Sequence, residues 1–134
     1  SPRMRKVLNV GGNSKEIQIP EAFSGWQHVM LDIDPAVRPD VVCDARNLAT
    51  LKGSEYDAVY CSHNLEHYFH HDVSRVLAGF LHVLKDDGFA YIRVPDMAEL
   101  MRAVVRDGRD IEVVLYQSPA GPIAVIDVIY GLRT

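Results

Sequence analysis

"KVLNVGG", residues 6–12, is a short apolar run that ends in two glycines. It reads as a buried strand entering a tight turn, because glycine lets the backbone bend sharply and approach whatever lies beyond the strand. Similar runs follow: "HVMLDID" at 28–34, "PDVVCDA" at 39–45, "YDAVYCS" at 56–62 and "GFAYIRVP" at 88–95. They are nearly continuous in apolar character rather than alternating. That pattern suits strands of a parallel sheet covered on both faces.

Two helices fall around the last run. Asp72 is placed to cap the first, in which Val73, Val76, Leu77, Phe80, Leu81 and Leu84 follow the i, i+3, i+4 stripe, and Asp86-Asp87-Gly88 reads as the turn into the next strand. The second starts at Asp96 with Glu99 as a capping box, carries Met97, Leu100, Met101, Val104 and Val105 as its apolar face, and ends at Gly108. Beyond it, Pro122 and Gly131 favour a helix while the Val and Ile content favours a strand; the expectation is a helix. Strand, connection, strand, helix, strand, helix is an α/β order. Right-handed crossovers make of it a three-layer, Rossmann-like parallel sheet of about five strands. No repeat, low-complexity tract or linker divides the chain, so residues 1–134 read as a single domain.

Composition narrows the partners. The 134 residues carry a formal charge of -4 and are 48% hydrophobic. No basic field is present to hold nucleic acid or anionic lipid, which points to a small-molecule partner. Cys43 and Cys61 each end an apolar run and read as buried free thiols of a reducing compartment. No apolar run approaches the ~20 residues that span a bilayer, and the expected location is cytoplasmic.

In sheets of this type, ligands bind beyond the C-terminal strand ends, at the switch point. After the first run come Gly11, Gly12, Asn13 and Ser14. After the second come Asp32 and Asp34, with Asp32 at the offset of about 20 residues where an acid commonly accepts from a ribose. After the third comes Asp44, whose carboxylate can accept from an exocyclic amine. After the fourth comes "SHNLEHYFHH", 62–71. A nicotinamide dehydrogenase would share the first two signals. It should also show G-x-G-x-x-G opening a helix that holds the pyrophosphate, whereas here Asn13, Ser14 and Lys15 follow the glycines and Pro20 soon interrupts. A nucleoside without phosphates fits better.

With these residues in order, the chain resembles the class I S-adenosylmethionine-dependent methyltransferases of the type 11 kind. "VLNVGG" looks like the first motif, and "GWQHVMLDIDP" is similar to a segment of a bacterial subgroup with a Leu-Asn-x-Gly first motif. "PDVVCDARNL", "YDAVYCSHNLEHY" and "VLKDDGFAYIRVPD" resemble the third-, fourth- and fifth-strand motifs. The resemblance runs over about residues 6 to 96. It departs from the usual first motif at Asn9, where an acid is common, and at Asn13 and Lys15, where glycines are.

The resemblance implies S-adenosylmethionine as cofactor. Gly11, Gly12 and Asn13 would line its methionine part, Asp32 would bind the ribose hydroxyls and Ile33 would pack on the adenine. Asp44 and Ala45 would meet the adenine edge by carboxylate and backbone amide. Ser62 and His63 would face the sulfonium and the methyl acceptor, with His63 and His67 as candidate catalytic bases. Read alone, His63-x-x-Glu66-His67 is also the H-x-x-E-H pattern of a zinc-peptidase class. The family's own Leu-Glu-His explains the stretch without a metal, although related O-methyltransferases hold a divalent ion through E-x-x-E-H here. His70 and His71 read as a solvated loop.

The expected function is methyl transfer to a small-molecule oxygen or nitrogen. The alternatives are a non-catalytic S-adenosylmethionine-binding or nucleotide-binding Rossmann-like module. The family's sheet usually continues with two more strands, one antiparallel. The chain beyond residue 96 shows few turn signals for them, so the expectation is a reduced or truncated domain with residues 89–94 at the sheet edge. Such an edge would be covered by self-association or by the 110–131 segment.

Overall fold

The β-branched and aromatic runs do become strands, and their pairing sets the architecture. The computed structural model describes residues 4–62, 64–68, 72–107, 123–127 and 132–133. Strands β1 (Lys6–Val10), β2 (Gln27–Asp32), β3 (Val41–Val42) and β4 (Tyr56–Ser62) lead to helix α1 (Val73–Val83), strand β5 (Leu84–Val94) and helix α2 (Met97–Asp107). Strands β6 (Ile123–Asp127) and β7 (Leu132–Arg133) follow. The sheet order is β3-β2-β1-β4-β5-β6-β7. Pairing is parallel from β3 through β6, and β7 is antiparallel to β6. This is the expected α/β Rossmann-like fold.

One face of the sheet packs against helices. Leu8, Val10, Val59, Cys61 and Ile92 meet Val76, Leu77 and Phe80 of α1 and Leu100 and Val104 of α2, all essentially sealed from solvent. Removing a side chain of this size from water stabilises the fold by about 1.5–3 kcal/mol. The α2 stripe is turned from its expected setting: Leu100, Ala103 and Val104 are buried while Met101 and Val105 face outward. The other sheet face has a smaller core of Val7, Ala58, Tyr60 and Phe23. Among the described residues its cover is no long helix. Segment 13–26, with one 3-10 turn at Glu21–Phe23, lays Phe23 against Trp26, Tyr60, Phe89 and Tyr91 at ring separations of 5.1 to 6.0 Å.

Three local expectations need correction. Asp72 does not cap α1 with its side chain; its φ is 70° and its carboxylate lies 3.6 Å from the Arg46 guanidinium. Asp86-Asp87-Gly88 is not a turn ahead of the strand. Helix α1 runs straight into β5, and these residues fall within it, at a break in register between the pairs Tyr56↔Leu84 and Ala58↔Phe89. The third correction is the largest. Residues 123–127 are strand, paired with β5 from Ala90↔Ile123 to Val94↔Asp127, and β7 closes against β6. In chain order helix α2 stands between β5 and β6 as the connection that parallel strands require, and Val and Ile are residue types that favour strand. The two further strands are therefore present, β5 is paired on both sides, and the argument for self-association through its edge falls. Residues 108–122 and Gly131 lie outside the described residues. No described helix is long and apolar enough to cross a membrane.

Candidate active site

Strand β1 sits between β2 and β4, so the connections leave it in opposite directions, and its C-terminal end is the switch point where sheets of this type form their ligand crevice. Gly11 turns the chain there with φ 71°, a region costly for side-chain-bearing residues, and its amide donates to the Leu31 carbonyl at 2.8 Å. A Cβ on Gly11 would come within 2.5 Å of the Asn64 side-chain amide. Gly12 is equally hemmed in, since a Cβ there would strike the amide of Asn9. Asn9 is 4% exposed and meets His28 Nε2 through Nδ2 at 3.1 Å. With the amide nitrogen donating, Nε2 must be the unprotonated acceptor, and burial pushes the His28 pKa down. An acid at position 9 would favour the charged ring instead. Lys15 pairs with Asp40 at 2.6 Å, and Asp40 also accepts from the Met30 amide at 2.8 Å, which ties the loop after Gly12 to the sheet.

Asp32 is the hub of the crevice. Its Oδ2 accepts from the Asn13 amide at 3.2 Å and its Oδ1 from the Asp34 amide at 2.9 Å. A carboxylate has about four acceptor positions, so lone pairs remain for a ligand's hydroxyls. Next to it in the chain Ile33 is 60% exposed, an apolar side chain held in solvent rather than in the core.

Asp44 stands after β3 but is already occupied. It caps the 3-10 turn Ala45–Thr50 by accepting from the Arg46 amide at 2.9 Å, and the Arg46 side chain grips it through Nε at 3.0 Å and Nη2 at 2.6 Å. These side-chain bonds hold the Asp44 carboxyl below the usual carboxylate range. Ala45 is buried beneath it. Tyr68, which sequence reasoning passed over, packs on the core beside these acids. Burial, then the charge of Asp44, pushes its phenol pKa up, and Asp32 acts in the same direction. The only sequence signal for it was its place directly after Leu65-Glu66-His67.

The end of β4 sets Ser62 beside the end of β1 and Asn64 against Gly11. Residues 65–68 form a 3-10 turn, the His67 amide donates to the Asn64 carbonyl at 3.1 Å, and the His67 side chain is exposed. His63, His70 and His71 lie outside the described residues. Among the described residues, no three His, Cys, Asp or Glu side chains gather as a metal site would need.

The family model of a methyltransferase domain matches residues 8–92, from β1 into β5. The chain belongs to that family. The methyltransferase domain is also similar in fold to a solved SAM-dependent methyltransferase from Archaeoglobus fulgidus, with a TM-score of 0.53 at 23% identity. That likeness covers 65% of this chain and 43% of the archaeal one, so this methyltransferase domain spans less than half of that protein's length. No curated protein matches the domain.

Proposed function

We propose that this methyltransferase domain binds S-adenosylmethionine across the C-terminal ends of β1 to β4 and transfers its methyl group to a small-molecule oxygen or nitrogen. The observation that carries the reading is the pairing of Asp32, with acceptor positions to spare, and the exposed Ile33 next to it. A carboxylate for a ribose diol beside an apolar surface for a base is what a nucleoside needs. The loop after Gly12 supports a ligand without phosphates, because no helix follows the glycines directly and the first helical element, a single 3-10 turn, begins only at Glu21.

In this reading Gly11, Gly12 and Asn13 line the methionine part, and Ala45 offers its amide to the adenine edge. Asp44 accepts from the adenine amine only with what Arg46 leaves free, so its share is smaller than that of Asp32. Bound S-adenosylmethionine supplies a methyl carbon activated by its sulfonium. The chain's part is to hold acceptor and methyl in line at the end of β4, beside Ser62; alignment of this kind supplies about 7–11 kcal/mol of a barrier at best. His63 and His67 serve as bases where the acceptor is a hydroxyl that must lose its proton. Calorimetry with S-adenosylmethionine, its demethylated product and NAD tests the proposal. Both sulfur compounds should bind and NAD should not; binding of NAD alone would replace it with a dinucleotide site.

A further inference from the structure

Strand β5 carries one charged side chain in its apolar run "FAYIRV", and its place is unusual. Ala90, Ile92 and Val94 are fully buried toward the α1 and α2 face. Phe89, Tyr91 and Arg93 therefore project from the opposite face, since strand side chains alternate. Because β5 is paired with both β4 and β6, Arg93 rises from the interior of the sheet and not from a margin. Its register partner on β4 is Ser62, the last residue of that strand. Directly below, the Tyr60 and Tyr91 rings lie 5.6 Å apart and form an aromatic floor.

Arg93 Nε is sealed from solvent and has no hydrogen-bond partner among the described residues, while the side chain as a whole is half-buried. A buried guanidinium N–H without an acceptor is costly, and a native chain that keeps one calls for an explanation. An aliphatic residue at this position would suit the sheet better. A guanidinium cannot shed its charge, and its Nε and Nη edge presents parallel donors that match the two oxygens of a carboxylate or phosphate. The nucleoside reading uses the ends of β1, β2 and β3, with Ser62 next to the transferred methyl. Arg93 lies one strand further on, on the acceptor's side.

We propose that the methyl acceptor carries an oxyanion, a carboxylate or a phosphate, and that Arg93 binds it so that the acceptor's nucleophile is presented beside Ser62. This rests on the methyl-transfer reading above, and the test separates the two. The demethylated cofactor is titrated into the wild type, Arg93→Gln and Arg93→Lys. In its presence, inorganic phosphate and acetate are then titrated while the Arg93 Nε–H proton resonance is followed by NMR. The wild type should show a saturable shift with at least one anion, and the anion that binds tighter names the acceptor's group. Anion binding should weaken about tenfold or more in Arg93→Gln, the scale of one charge-assisted hydrogen bond. Arg93→Lys, which keeps the charge but loses the fork, should fall between them, and cofactor affinity should stay within about twofold in both variants. If the cofactor binds but neither anion moves the Arg93 resonance, or if Arg93→Gln binds anion as well as the wild type, the Arg93 assignment is overturned. If the wild type does not bind the cofactor, the methyl-transfer reading fails, and the acceptor assignment with it, whatever the anions do.

Discussion

The Asn13 backbone amide donates to Asp32 Oδ2 at 3.2 Å, so the loop leaving β1 is fastened to the last residue of β2. Asn13 adopts a φ of 64° there, in the left-handed region that glycine would otherwise supply and that asparagine tolerates better than most residues. The departure from glycine at this position is thus conservative in backbone terms. One carboxylate fastens both the loop after β1, through Asn13, and the turn after β2, through Asp34.

Gly11 carries the same demand more strictly. Gly11→Ala should cost about 1–2 kcal/mol from the left-handed backbone alone. The close approach to Asn64 adds to this. In urea titrations, the Gly11→Ala/Asn64→Ala double variant should recover the steric part and not the backbone part. Full recovery would mean that the φ of Gly11 is not a constraint.

Phe23 anchors the described cover of the second sheet face and is 2% exposed. Phe23→Ala should destabilise by about 3–5 kcal/mol, as truncation of a buried aromatic does. Ile17, 54% exposed in the same segment, should change stability by less than about 0.5 kcal/mol when replaced by serine. Similar losses at the two positions would show that the segment does not pack as described.

His28 gives stability a pH dependence of known sign. Burial, and then the charge of Lys15, lower its pKa below the ordinary imidazole value of 6.5, with Asp40 opposing in part. The folded protein therefore binds fewer protons than the unfolded chain between the folded pKa and 6.5. The stability is fully present above 6.5 and is lost as pH falls through the folded value. Thermal unfolding from pH 8 downward should show a decline below about 6.5 that His28→Gln lacks. Equal slopes in the two proteins would contradict this.

The first five strands were legible because each is an apolar run closed by glycine, proline or an acid, a local signal. The capping of α2 was legible too: the Glu99 amide donates to Asp96 Oδ1 at 3.1 Å. Strand β6 was not, since Ile123–Asp127 sits in a stretch where proline and glycine suggest helix ends. What decides between helix and strand is the open side of β5, a partner distant in sequence. Asp72 misled for a related reason, as its carboxylate turns toward Arg46, which no local pattern announces. In the crevice, Asp32 could be read from its offset to Gly12. The grip of Arg46 on Asp44 needed the geometry of a 3-10 turn, and Arg93 needed the register that sets it beside Ser62.

The most direct test of the account is a calorimetric titration of the wild type and Asp32→Ala with the demethylated product of S-adenosylmethionine. Loss of the charge-assisted bonds to the ribose should weaken binding by about 1.5–3 kcal/mol, roughly ten- to a hundredfold. The wild type should bind with an affinity that the variant clearly lacks, while both keep the same far-ultraviolet circular dichroism. Equal affinity in the two proteins, or no binding by the wild type at millimolar ligand, would contradict it.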